Sequence, residues 1–265
     1  LLFLMVVKIA NGQSVSTVMG ARAMAMGNAT AAQHDAWSLW NNPAALAHLR
    51  QMQTALALER RPALPGQGRM ASVFTSPLAH GTLGAGAFKF GDDLYNEMLL
   101  SLGYGHTLGL ASLGLSVSYL QMRAEGWGTS QALTLSAGGQ AKLSEAITVG
   151  AVASNINQPR LANNERVPAR LSAGVQYTPS ATVVVLAEVE KHLDFNPSLR
   201  MGVEYTIHKK IIARTGYQLW PSVAGFGAGY KTYRLTIDYA LQQHLALGAT
   251  HQASLAYFLQ RQKSP

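Results

Sequence analysis

Residues 198–207 read SLRMGVEYTI, and Leu199, Met201, Val203, Tyr205 and Ile207 fall at every second position with Ser198, Arg200, Gly202, Glu204 and Thr206 between them. A helix would scatter the five apolar side chains around its axis, whereas an extended strand puts all of them on one face. The opposite face carries an arginine and a glutamate, so the strand separates an apolar medium from a polar one. The pattern repeats on both sides. In residues 170–178, Leu171, Ala173, Val175 and Tyr177 oppose Arg170, Ser172, Gly174, Gln176 and Thr178. In residues 232–242, Tyr233, Leu235, Ile237, Tyr239 and Leu241 oppose Thr232, Arg234, Thr236, Asp238 and Gln242.

Such segments fill residues 54–260, roughly 14 of them at about 15 residues per strand and connection, which suits membrane strands of about 9 to 11 residues joined by turns. The connections alternate in length. Those near residues 62–68 and 155–167 are long, and those near 77–80, 144 and 179–180 are short. Short inner turns and longer outer loops are the habit of outer-membrane barrels, so both termini are expected in the periplasm of a Gram-negative bacterium. The expected fold is all-β: a transmembrane, antiparallel, up-and-down barrel of about 14 strands. Glycines at alternate positions, such as Gly84 and Gly86, Gly103 and Gly105, or Gly225, Gly227 and Gly229, lie on one face of their strands and leave room beside the wall.

Composition agrees. Charged residues are 13% of the chain, hydrophobic residues 48%, and the mean hydropathy is +0.07, which excludes a disordered chain. Apolar runs past residue 12 are too short for a helical span. No cysteine is present, so disulfides, thiolate-bound zinc and thiol chemistry are excluded. The net charge of +8 is dispersed, without a basic block that would point to nucleic acid.

Residues 1–12 read as the remnant of a signal peptide, with Ala10 and Gly12 at the small positions of a cleavage site. Residues 13–53 precede the alternation. Within them, residues 20–46 are rich in Ala and Met and read as a short helix and a turn closed by Asn42-Pro43, an N-terminal plug for the barrel. Trp37 and Trp40 are expected to pack against the small lumenal glycines, and Arg22, His34, Asp35, Trp37, Trp40, Asn42 and Pro43 are the plug or gate candidates. Residues 261–265 form a C-terminal tail.

Gly20-Ala21-Arg22-Ala23, Met26-Gly27 and Trp40 with Asn42-Pro43-Ala44 resemble the opening of the PorV/PorQ family of outer-membrane proteins, relatives of the FadL fatty-acid channels. The resemblance extends through Asn155-Ile156-Asn157, Pro168-Ala169-Arg170-Leu171, Gly202-Val203-Glu204-Tyr205, Arg214-Thr215-Gly216-Tyr217 and Asp238-Tyr239-Ala240. Ala45 departs from it, standing where a glycine is usual, and the chain is shorter than most members. The resemblance implies a 14-stranded barrel with a plug, and a role either in type IX protein secretion or in uptake of hydrophobic compounds.

On the polar faces, Arg170, Glu188, Glu190, Arg200, Glu204, Arg214, Arg234 and Asp238 are expected to point into the lumen and to pair, because a charge facing the bilayer midplane costs about 2 to 4 kcal/mol. The lumen therefore reads as polar. That favours a non-enzymatic accessory or cargo-binding component of secretion over a greasy channel. Its partners would be outer-membrane lipid and lipopolysaccharide, with secretion-machinery proteins or secreted cargo; the alternative has a hydrophobic ligand. Neither a Gly-x-Ser-x-Gly nor a His-Glu-x-x-His spacing occurs, so no catalytic residue, metal or cofactor is expected.

Overall fold

The computed structural model describes residues 16–161, 166–192, 196–245 and 247–259. The signal remnant at 1–12, residues 13–15 of the N-terminal segment and the tail at 261–265 lie outside the described residues. Two short helices come first, α1 (Ala21–Ala25) and α2 (Ser38–Asn41), then a 3-10 turn over Pro43–His48. Fourteen strands follow: β1 (Gln53–Arg60), β2 (Arg69–Leu78), β3 (Gly81–Gly91), β4 (Tyr95–Leu108), β5 (Ala111–Ala124), β6 (Gly128–Lys142), β7 (Ile147–Ser154), β8 (Arg170–Ser180), β9 (Val183–His192), β10 (Ser198–His208), β11 (Ile211–Leu219), β12 (Val223–Lys231), β13 (Leu235–His244) and β14 (Gly248–Phe258). Each pairs antiparallel with its chain neighbours, and β1 pairs with β14, from Gln53 opposite Phe258 to Arg60 opposite His251. The barrel is closed and leaves no free sheet edge.

The alternation seen in the sequence becomes the two faces of this wall. Leu56, Leu102, Leu115, Leu133, Val203, Tyr205 and Ile237 are exposed outward, while Ala55, Ala57, Arg200, Glu204 and Asp238 between them are buried inward. Such a continuous apolar exterior matches a bilayer rather than water. No helix among the described residues is long and apolar enough to cross a membrane.

At one end of the barrel the turns from Leu78 to Gly81, Leu108 to Ala111, Ser180 to Val183 and His208 to Ile211 hold two residues each. The other end carries the longer connections, from Arg60 to Arg69 and from Ser154 to Arg170. Strand β1 begins and β14 ends at the turn end. At the loop end β6 outruns its partner β7, and residues past β7 complete its hydrogen bonding. Ile156 N–H donates to Leu135 O (2.8 Å), Leu135 N–H donates to Asn157 Oδ1 (2.9 Å), and Asn157 Nδ2 donates to Leu133 O (2.7 Å). Paired carbonyls and amides at membrane depth avoid a desolvation cost.

One strand starts later than its alternation suggests. Thr232 donates its N–H to Leu235 O (2.7 Å) and accepts Leu235 N–H on its hydroxyl (3.0 Å), closing a turn that takes Tyr233 and Arg234 out of β13. The side-chain oxygen of threonine competes here with the ladder, a local effect that period-two reading does not register.

Candidate lumenal site

The N-terminal segment lies inside the barrel. At the loop end Arg69, the first residue of β2, donates to Ser16 O (2.8 Å), and Arg170, the first of β8, donates to Ser16 Oγ (3.2 Å). From there the chain descends along the wall to the turn end and leaves into β1. Its backbone touches the sheet at several wall glycines: a Cβ on Gly202 would come within 2.7 Å of Met26 O, one on Gly225 within 2.7 Å of Met24 O, and one on Gly105 within 2.7 Å of Ala47 N. These positions work because glycine permits close backbone approach. The tryptophans divide differently from expectation. Trp40 occupies the space beside Gly86, where a Cβ would stand 2.7 Å from its ring, but Trp37 packs on Gly20 of its own segment.

The two rings stack with centroids 6.3 Å apart, and Trp40 meets Phe88 edge-on at 6.5 Å. Trp40 Nε1 donates to Ser101 Oγ (2.9 Å), which satisfies the buried indole N–H. Asn42 caps the 3-10 turn, accepting Ala44 N–H on Oδ1 (3.1 Å) ahead of Pro43, and its amide nitrogen donates to Ala31 O (2.6 Å). Asp35 accepts Trp37 N–H (2.9 Å), and its backbone oxygen accepts from Ser38 Oγ (2.7 Å), so it organises the start of α2. His34 does not bond to Asp35. Its ring lies 5.5 Å from that of His48, and its backbone oxygen accepts from Arg22 (3.3 Å).

Seven of the eight charges expected in the lumen converge in two clusters on β8 to β13. In the first, Arg200 bonds both Glu188 (3.2 Å) and Glu190, and Arg170 reaches Glu190 at 3.3 Å. Glu188 also accepts the backbone N–H groups of Thr30 (2.6 Å) and Ala31 (2.7 Å). In the second, Arg214 bonds Glu204 (2.6 Å) and Asp238 (2.7 Å), and Arg22 from α1 joins Glu204 at 2.8 Å. Both clusters therefore join the wall to the inner segment. The eighth charge, Arg234, sits exposed in the turn before β13 and lies over the Tyr233 ring at 5.7 Å.

Between the second cluster and the turn end is a cavity of 420 Å³, lined among others by Arg22, His34, Asp35, His48, Arg50 and Lys231. Burial, reinforced by Arg22, pushes the His34 imidazole down to about 4, and burial also lowers His48. Burial raises the Asp35 carboxyl, with Arg22 opposing. Among the described residues no group of three His, Asp or Glu is placed to hold a metal ion.

The facing half of the lumen is apolar, which corrects the reading of a lumen polar rather than greasy. Phe88, Leu99, Leu120, Ala57, Ala71 and Val73 are buried in one cluster with Trp37, Trp40 and Leu49, and Phe90, Met122 and Leu161 extend it towards the loop end. The signal was present: Phe88 and Phe90 share the parity of Gly84 and Gly86, which face the segment. Sequence reasoning also missed Glu59, buried and bonded to Arg69 and to Gln252 (2.8 Å).

No protein-family model and no curated protein matches the chain. Solved barrels do match in shape. A variant of the TodX monoaromatic hydrocarbon channel superposes with a TM-score of 0.71 at 14% identity, over 90% of this chain and 98% of that one. The toluene transporter TodX of Pseudomonas putida gives 0.69 at 13% identity (90% and 97%), and a FadL homologue of Pseudomonas aeruginosa 0.66 at 12% (91% and 98%). At these identities the likeness establishes the fold.

Proposed function

We propose that this chain is a non-enzymatic outer-membrane channel for small hydrophobic compounds, a FadL-like barrel with both termini in the periplasm and its inner segment acting as a plug. The observation that carries the reading is the apolar column from Phe90 and Met122 at the loop end through Phe88, Leu99 and Leu120 to Trp40 and Leu49. A hydrophobic solute needs continuous apolar contact to leave the outer leaflet side, because each polar stretch would return its desolvation gain. The likeness in fold to barrels described as hydrocarbon and toluene channels supports the same reading. The alternative, an accessory of type IX secretion, drew on a polar lumen, and the apolar half removes that ground.

Equilibrium binding of radiolabelled toluene to the purified barrel tests the proposal. Saturable binding that Phe88→Gln weakens about tenfold is expected, since a polar amide in an apolar site costs about 1 to 3 kcal/mol. Binding unchanged by the substitution would refute the apolar column as the ligand path.

A further inference from the structure

A channel function makes no use of the outward surface of β1, β2 and β3 at the loop end. Leu58, Met70 and Lys89 are consecutive cross-strand neighbours there, Leu58 opposite Met70 and Met70 opposite Lys89. All three face away from the lumen, with Leu58 58% and Met70 49% exposed and Lys89 exposed as well. Arg60 follows Leu58 on the same face of β1 and is also exposed. The connection from Arg60 to Arg69 arches over this surface through Pro62, Leu64 and Pro65 and encloses a recess of 610 Å³.

The charges in the recess do not balance. Glu59, its carboxylate, is taken by Arg69 and Gln252 on the inner side. Asp92 on the neighbouring turn accepts the N–H groups of Leu94 (3.0 Å) and Tyr95 (3.1 Å). Neither Arg60 nor Lys89 has an acidic partner among the described residues. Two unpaired cations thus stand at the rim of the apolar belt with exposed leucine and methionine directly beside and below them.

Long basic side chains at such a boundary extend their charge towards the headgroup layer while their stems cover apolar surface. A free anion would neutralise Arg60 and Lys89 but make no use of the apolar surface of Leu58 and Met70 beside them. A neutral lipid would cover the apolar pair but leave the cations without partners. Both requirements are met by one amphiphile carrying phosphate above and acyl chains below.

We propose that this recess binds a phosphorylated lipid of the surrounding leaflet, its phosphate between Arg60 and Lys89 and an acyl chain along Leu58 and Met70. The inference needs the barrel to lie in a membrane and is independent of what passes through the lumen, so it stands or falls separately from the channel function.

Native mass spectrometry of the full chain in neutral-detergent micelles tests it, with diphosphorylated lipid A as probe. The wild-type barrel should retain the probe about tenfold more tightly than the dephosphorylated form, and about tenfold more tightly than the Arg60→Gln/Lys89→Gln variant. Lys209→Gln/Lys210→Gln, which removes two exposed cations at the opposite end, should bind as wild type. Excess inorganic phosphate should not displace the lipid. Retention unaffected by either the phosphates or the two rim cations would overturn the proposal, as would displacement by inorganic phosphate. Heat-modifiable migration verifies that each variant is a folded barrel; should the double variant not fold, the exposed Lys89→Gln change alone is expected to weaken retention, and wild-type retention there would equally overturn it.

Discussion

Arg22 of the inner segment grips Glu204 of β10 with two hydrogen bonds, from Nε at 2.8 Å and from Nη2 at 3.1 Å, and Glu204 is simultaneously held by Arg214 from β11. The carboxylate is thus shared between a strand-to-strand bond and a segment-to-wall bond. The bidentate fork fixes direction as well as charge.

Removing the segment's half of that contact should loosen the segment and leave the wall intact. Arg22→Gln keeps the Glu204–Arg214 pair, so the barrel is expected to fold and insert. The ion conductance of the variant in planar bilayers should rise towards that of a chain lacking residues 20–46. Conductance equal to wild type in both variants would show that the segment does not obstruct the path.

Gly86 and Gly139 offer a matched comparison. A Cβ at Gly86 would meet Trp40 at 2.7 Å and Ser72 O at 2.9 Å, whereas one at Gly139 meets Leu113 at 3.7 Å and Ser112 O at 3.9 Å, ordinary van der Waals contacts. Gly86→Ala should destabilise the barrel by about 1 to 3 kcal/mol, as overpacking does, with Gly139→Ala near neutral. Urea unfolding in lipid vesicles measures both; equal midpoints would contradict the close seat of Trp40.

Val203 and Arg200 lie on opposite faces of β10. Val203→Arg places a charge in the lipid at a cost of about 2 to 4 kcal/mol. Arg200→Gln leaves Glu188 without its cation while Glu190 keeps Arg170, and loss of one partner from a buried pair costs about 3 to 5 kcal/mol. Both should lower folding yield in vesicles, but only Arg200→Gln should expose residues 28–31 to protease, because Glu188 and Arg200 bind their backbone. Protease protection unchanged in Arg200→Gln would contradict that tie.

How much of this was readable in the sequence depends on chemistry that repeats. Strands such as β8 and β10 declare themselves because one face is wholly apolar and the other polar. Strands β3 to β5 carry Phe88, Leu99 and Leu120 on the inward face, so both faces are apolar in part and the greasy half of the lumen hides in the pattern. The inward charges followed from parity alone. Arg234 escaped because the Thr232 turn ends the parity before it, and the grip of Glu188 on Thr30 and Ala31 joins residues too distant in sequence for any local pattern to pair them.

Acid should weaken docking of the segment through His34. Its pKa is lowered from about 6.5 to about 4 by burial and then by Arg22, with His48 and Lys231 adding to the effect and Glu204 opposing it. The docked state therefore favours neutral imidazole: this contribution is complete above the unfolded value near 6.5 and is lost as pH falls through about 4. Asp35, raised by burial, works in the opposite direction, so the comparison is with His34→Gln. Protease protection of the segment should fall between pH 6.5 and 4 more steeply in wild type than in His34→Gln; parallel profiles would contradict the assignment.

On the proposed function, a hydrophobic solute passes along the apolar half of the lumen. Such passage is tested most directly by uptake of radiolabelled toluene into intact Gram-negative cells that lack other hydrocarbon channels, with and without this chain in the outer membrane. The account predicts faster uptake with wild type, a return towards background in Phe88→Gln at equal barrel levels, and no gain for a sugar of similar size. Uptake equal to cells without the barrel, or enhanced equally for toluene and the sugar, would contradict it.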